Sequence, residues 1–177
     1  MKKIRKIYLI ALCAAIILGV FFSIKQKEKT PELSRYELAE EADAYKLIEE
    51  EYGIKPLKFG YLPDGLMFEN IELHAEKEYA VLRYVGEDSK WVELYVIDPH
   101  RSDFAADVVE INGEIQSSYR IETDDVSVQV DQYKNSDSEK TMMHSLLSKD
   151  KVRYTLLSHN IAPVEYDKIV GNLVFVQ

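Results

Sequence analysis

The sequence predicts an α+β protein: an amino-terminal transmembrane helix, then one helix packed across a curved antiparallel β-sheet (a meander), and a short carboxyl-terminal helix. Three observations predict it. An uncharged apolar run opens the chain, a single apolar stripe at helical spacing follows, and after residue 56 the apolar period drops to two.

Lys2, Lys3, Arg5 and Lys6 precede the run Ile7 to Ile24, "IYLIALCAAIILGVFFSI", and Lys25, Lys27 and Lys29 follow it. Its 18 residues make a helix of roughly 27 Å, close to the hydrocarbon core of a bilayer. A cleaved signal peptide has a shorter apolar core and a small-x-small exit, whereas the exit here reads Phe21-Phe22-Ser23-Ile24. A lipid-modified Cys13 would need a small residue where Leu12 stands. Residues 1–29 are therefore expected to be an uncleaved signal-anchor with its single-pass span at 7–24. The short basic start matches an N-in orientation and places the rest outside the cytoplasm, at the cell membrane.

Residues 30–56 are expected to be a helix and a linker. Ser34-Arg35-Tyr36-Glu37 fits a capping box, and Leu38, Ala42, Tyr45, Ile48 and Tyr52 form one stripe. Gly53 suits the position past the helix end, and Pro56 prevents continuation.

Residues 57–177 are expected to hold the sheet. Phe68 to His74 alternates. Tyr79 to Val85 and Trp91 to Ile97 form a hairpin about Gly86-Glu87-Asp88-Ser89. A short strand is predicted at Val108 to Ile111, with a turn at Asn112-Gly113, and another strand around Tyr119 and Ile121. Val126, Val128 and Val130 alternate with polar residues, so that strand buries one face. Asn135 to Lys140 reads as a polar turn. Met142 to Leu147 and Val152 to Leu157 form a last hairpin about Lys149-Asp150-Lys151, and Pro163 to Leu173 a closing helix.

Charge divides the chain. The first thirty residues hold seven of the 22 basic side chains and one of the 31 acidic ones. Residues 31–177 thus keep 15 basic and 30 acidic side chains, a net charge near −15. Such a domain repels nucleic acid, and its basic residues show no cluster in sequence. With its one cysteine at position 13, residues 31–177 form no disulfide and no thiolate metal site.

"KFGYLPDGLMFENIEL", residues 58–73, is the most patterned stretch. Leu62, Pro63, Asp64 and Gly65 read as a turn with Pro second, Asp third and Gly fourth, a structural corner between two apolar segments. Together with "EYAVLRYV", "WVELYVID", "VEINGE" and "VRYTLLSHNIAPVEYDKIVGNL", this corner resembles the DUF4367 family of bacterial extracytoplasmic domains. The resemblance covers roughly residues 57 to 173 and implies a domain behind one membrane span. It implies no catalytic residues.

Common chemistries find little support. His74, His100, His144 and His159 make no H-x-x-x-H motif, although His144 and His159 can meet across the last hairpin. Asp98, His100, Ser102 and Asp103 supply the residue types of a hydrolase triad, but from one loop and without G-x-S-x-G. A cation site from Asp98, Asp103 and Asp107 lacks calcium-loop spacing. The expectation is a non-enzyme with no catalytic, metal or cofactor-binding residues. Its partners are the membrane, through one span, and an envelope protein or apolar ligand. The candidate binding surface is Tyr79, Tyr84, Trp91, Tyr95, Met142 and Tyr154, while Met67, Met142 and Met143 line a pocket or fill the core. Two functions stay open: an extracytoplasmic binding or sensory module, or a structural or assembly protein of the membrane surface without ligand.

Overall fold

The computed structural model describes residues 33–36 (as backbone), 40–74, 78–101, 109, 111, 113–134 and 141–175. The expected span at 7–24 lies outside them. Among the described residues no helix is long and apolar enough to cross a membrane.

The chain is α+β. Its strands are β1 (Leu33–Tyr36), β2 (Lys58–Phe59), β3 (Met67–His74), β4 (Tyr79–Val85), β5 (Trp91–Ile97), β6 (Glu114–Glu122), β7 (Ser127–Lys134), β8 (Thr141–Lys149), β9 (Val152–His159) and β10 (Leu173–Val174). Two helices, α1 (Glu41–Tyr52) and α2 (Pro163–Gly171), complete it.

Eight strands form one antiparallel sheet in the order β1-β3-β4-β5-β9-β8-β7-β6, and β2 pairs with β10 in a two-stranded ribbon. The predicted single meander is thus corrected. Two meanders, β3-β4-β5 and β6 to β9, join through β5 and β9, where Trp91 faces His159 and Ile97 faces Arg153. This seam lies between strands far apart in sequence, which hairpin logic cannot see.

The start of α1 is a second correction. The capping-box residues Ser34 to Tyr36 are in β1, paired with Leu73 to Ile71, and the helix begins at Glu41. Ladder hydrogen bonds along β3 outweigh a local capping signal whose strength is only about 1 kcal/mol. The N-cap residue Glu40 makes no side-chain cap. The stripe shifts accordingly: Ala44, Tyr45, Ile48 and Tyr52 are buried, whereas Ala42 is exposed. Gly53 ends the helix as expected, at φ 67° with its N–H donating to Glu49 O at 2.9 Å.

Of the short strand predicted at 108–111, Val109 and Ile111 lie outside any strand, and Val108 and Glu110 lie outside the described residues. The polar turn at 135–140 lies outside the described residues. The last hairpin closes at Asp150 and Lys151 with φ of 52° and 69°, both left-handed, as a type I′ turn requires. The closing helix stops at Gly171, because Leu173 and Val174 turn to pair with Phe59 and Lys58.

Alternation sorts the strands into two faces. On one face Ile71, Leu82, Tyr84, Val92, Leu94, Met143, Leu156 and Val130 meet Ile48 of α1 and Tyr166 and Ile169 of α2, all fully buried. Two buried hydroxyl contacts dock the helices. Tyr45 Oη lies 3.2 Å from Tyr84 Oη, and both phenols donate to Glu41 Oε1 at 2.7 Å. Tyr166 Oη donates to Ser145 Oγ at 2.8 Å and reaches Leu156 O at 3.1 Å. The opposite face carries its own small cluster of Tyr79, Val81 and Ile97, with Tyr95 packed on it.

Candidate binding face

The face turned away from the helices begins with β4 and β5. Arg83 and Glu93 face each other across the ladder, with Nη1 to Oε1 at 3.1 Å. Arg83 Nε also lies 3.2 Å from Glu69 Oε2. It is not aligned for a hydrogen bond there, so the contact is one of charge alone. The guanidinium carbon sits 5.8 Å from the centroid of the Trp91 ring. Trp91 in turn stacks on His159 of β9 at 5.6 Å and 11°. His159 is itself fixed, because its Nδ1 lies 3.0 Å from Ser89 O. A carbonyl can only accept, so Nδ1 carries the proton.

From Glu93 the row continues the other way. Tyr95 Oη donates to Glu93 Oε2 at 2.8 Å. The rings of Tyr79 and Tyr95 lie 5.9 Å apart, and His74 stacks on Tyr79 at 4.4 Å. Burial, with two carboxylates near by, pushes the Tyr95 phenol far above its ordinary value. An aromatic and charged row therefore runs from His74 to His159 across β3, β4, β5 and β9.

The row is not uniform. Tyr79, Val81, Ile97, Thr155, Leu157 and His144 on this face are buried. Trp91, Val85, His159 and Met142 keep part of their surface in solvent, as does the Arg83 side chain. The accessible part is the end at which β4 leaves the sheet and β5 enters it.

The Pro-Asp-Gly corner sits at that same end. Leu66 N–H donates to Pro63 O at 3.1 Å, and Gly65 holds φ at 84°. The turn therefore runs one residue later than predicted, with Pro63 first and Gly65 third. The third position of such a turn demands positive φ, which glycine alone takes freely. Tyr61 on the way in donates to Glu165 Oε2, while Lys168 Nζ donates to Glu165 Oε1 at 2.8 Å. The carboxylate raises the Tyr61 phenol, and the Lys168 and Tyr61 hydrogen bonds hold Glu165 below its ordinary value. The corner is thus stapled to α2.

Two cavities flank it. One of about 310 Å³ lies between Pro63, Thr141, Ile161 and Glu165. The other, about 420 Å³, lies between Asp64, Leu66, Met67, Val85 and Asp88. Lys90 borders both, and Met67 stands 71% exposed at the mouth of the second. Val85 joins the second cavity to the row, since it faces Trp91 across the ladder.

Of the six predicted surface residues, Tyr79, Trp91, Tyr95 and Met142 lie on this face. Tyr84 and Tyr154 do not: both are buried under the helices, where burial lifts the Tyr154 phenol to about 12. Both strands of the first hairpin are apolar on their two sides, so their composition does not separate the faces. Arg83 and Glu93 were the available signal, because only one side of each strand carries them. Met143 is core, whereas Met67 and Met142 are at the surface. His144 and His159 are not directly opposite, since His144 faces Leu157 and His159 faces Met142; they lie diagonally on one face. His100 forms a local turn with Asp98, its Nδ1 lying 3.1 Å from Oδ1, and Ser102, Asp103 and Asp107 lie outside the described residues. No group of three or more His, Cys, Asp or Glu suited to a metal occurs among the described residues.

One feature of charge escaped the sequence. Lys46 on α1 and Lys55 and Lys58 beyond it, scattered along the chain, line one groove.

Fold and face define an α+β domain with a single eight-stranded sheet, helices on one side and an aromatic row on the other. The chain belongs to the DUF4367 family, a domain of unknown function whose family model matches residues 56–173. No match to a curated protein or to a solved structure was found.

Proposed function

We propose that this chain is a membrane-anchored, extracytoplasmic binding or sensory module of the bacterial envelope, and that it receives an apolar ligand or a partner segment at the Trp91 end of the face opposite α1 and α2. One observation carries the reading. The aromatic row ends at partly exposed Trp91 and Met142, beside a corner cavity with exposed Met67 at its mouth. Methionine and tryptophan on one face form an adaptable apolar surface with one rigid anchor. The apolar run at 7–24 supplies the anchor to the membrane.

A second reading has its own support. Val81, Ile97, Thr155 and Leu157 on the same face are already buried, which suits a structural or assembly protein that takes no ligand. No residue is assigned a catalytic role in either reading.

A photo-crosslinking amino acid at Met67 or Met142, in the full chain in native membranes, separates the two. The binding reading expects one defined adduct at both sites, none from exposed Glu122, and its loss in Trp91→Ala. Equal labelling at all three positions, or none, supports the structural reading.

A further inference from the structure

Residues 31–177 carry twice as many acidic as basic side chains, yet the fold gathers lysines in one place. A cavity of about 240 Å³ lies between α1 and the chain leading to β2, lined by Tyr45, Lys46, Glu49, Lys55, Pro56 and Lys58. Three lysines and Glu49 line it, and Glu50 pairs with Lys46. Lys55 also borders a neighbouring cavity of about 320 Å³, together with Lys149.

The floor is firm. Tyr45 is 7% exposed and tied by its hydroxyl to Glu41 and Tyr84, and Pro56 is buried. Lys58 Nζ stands 4.9 Å above the Tyr45 ring. The third lysine is held only lightly, because Lys46 pairs with Glu50 at 3.7 Å with both side chains mostly exposed. Exposed pairs of this kind are weak and release easily.

We propose that this groove binds a phosphate-bearing anion. A compact, multiply charged group satisfies several ammonium donors at once, and lysine serves phosphate as a point charge. The volume suits a single phosphate or phosphodiester group and falls below the usual range for a drug-sized ligand. The negative charge of the rest of the domain does not forbid this. Screening at physiological salt confines charge interactions to about 8 Å, so the groove's own lysines dominate at contact. The site is separate from the Trp91 end and stands whether or not that reading holds.

The bland alternative is that the lysines offset the carboxyl end of α1, whose last turn has no basic residue. Amine footprinting separates the two. The full chain is acylated in nanodiscs of zwitterionic lipid, with inorganic phosphate or with chloride at equal ionic strength, and lysine modification is read by mass spectrometry. Phosphate at twice its dissociation constant slows labelling of Lys46, Lys55 and Lys58 about threefold and leaves Lys90 and Lys151 unchanged. Nanodiscs of anionic lipid form the second arm. Protection there, without an effect of soluble phosphate, assigns the anion to a lipid headgroup. Lys58→Glu abolishes protection at Lys46 and Lys55, and Lys58→Gln weakens it with melting unchanged. Protection in neither arm, equal protection of all lysines, or protection that survives Lys58→Glu overturns the proposal.

Discussion

Gly65 and Asp64 are neighbours in one turn and bear different loads. Gly65 sits at φ 84° with open space around its Cα, so a side chain there meets strain and no clash. A β-branched residue suffers most in this region, and Gly65→Val is expected to destabilise the protein by about 1–3 kcal/mol. Asp64→Asn keeps a residue that turns accept and is expected within about 0.5 kcal/mol of the parent. Paired urea melts check both. If Asp64→Asn were the more damaging change, the corner would owe its place to a carboxylate and not to its backbone. At this scale the sequence was legible in kind: Pro-Asp-Gly announced a turn. It was not legible in register, because proline is at home in more than one position of a turn and only the observed φ fixes which residue comes third.

Among the elements, the hairpin strands were the most legible. Tyr79–Val85 and Trp91–Ile97 occupy the predicted ranges, because β-branched and aromatic residues between turn residues leave little alternative. β1 was illegible, since its four residues carry a capping signal in sequence and are held as a strand by pairing with β3. The candidate face was half legible for a related reason. "YAVLRYV" is apolar on both sides, so parity tells which residues travel together but not which side the helices take. The β8–β9 turn offers a test at this scale. Asp150 and Lys151 adopt left-handed backbone, and Lys151 carries a Cβ that opposes it. Asp150→Asn with Lys151→Gly gives the residues that a type I′ turn prefers, and a gain of about 1 kcal/mol is expected. Thermal melting reads it. An unchanged or lowered melting temperature would show that this turn is not type I′.

For the whole molecule, tyrosine sets the alkaline limit. Burial holds the Tyr45, Tyr84, Tyr95 and Tyr166 phenols far above their ordinary value, and Tyr154 at about 12. These groups ionise near pH 10 in the unfolded chain and later, or not at all, in the folded one. Above pH 10 the unfolded state therefore binds fewer protons, and stability falls as pH rises. The stability present below pH 10 is expected to be lost by up to about 1.4 kcal/mol per pH unit for each such tyrosine. Denaturant midpoints at pH 8, 10 and 11 test this; a midpoint that holds steady through pH 11 contradicts it. The order of strands was the least legible feature at this scale. Turn residues reveal which strands are hairpin neighbours, and nothing local announces that β5 lies against β9.

That seam has a consequence for the chain as it is made. Ile97 of β5 waits for Arg153, 56 positions later, before its strand has a second neighbour. At roughly 5–20 residues per second of synthesis, β5 stands for several seconds as a bare apolar edge, open to any strand that passes. Until β9 arrives, β1, β3, β4 and β5 form a four-stranded sheet that can pair with another copy of itself. Chains halted before Val152 are expected to aggregate or to be degraded, and chains halted after Asn160 to be protected. Pulse proteolysis of such a truncation series would place the step, and a smooth rise in protection along the series would show that the edge is shielded by something other than β9.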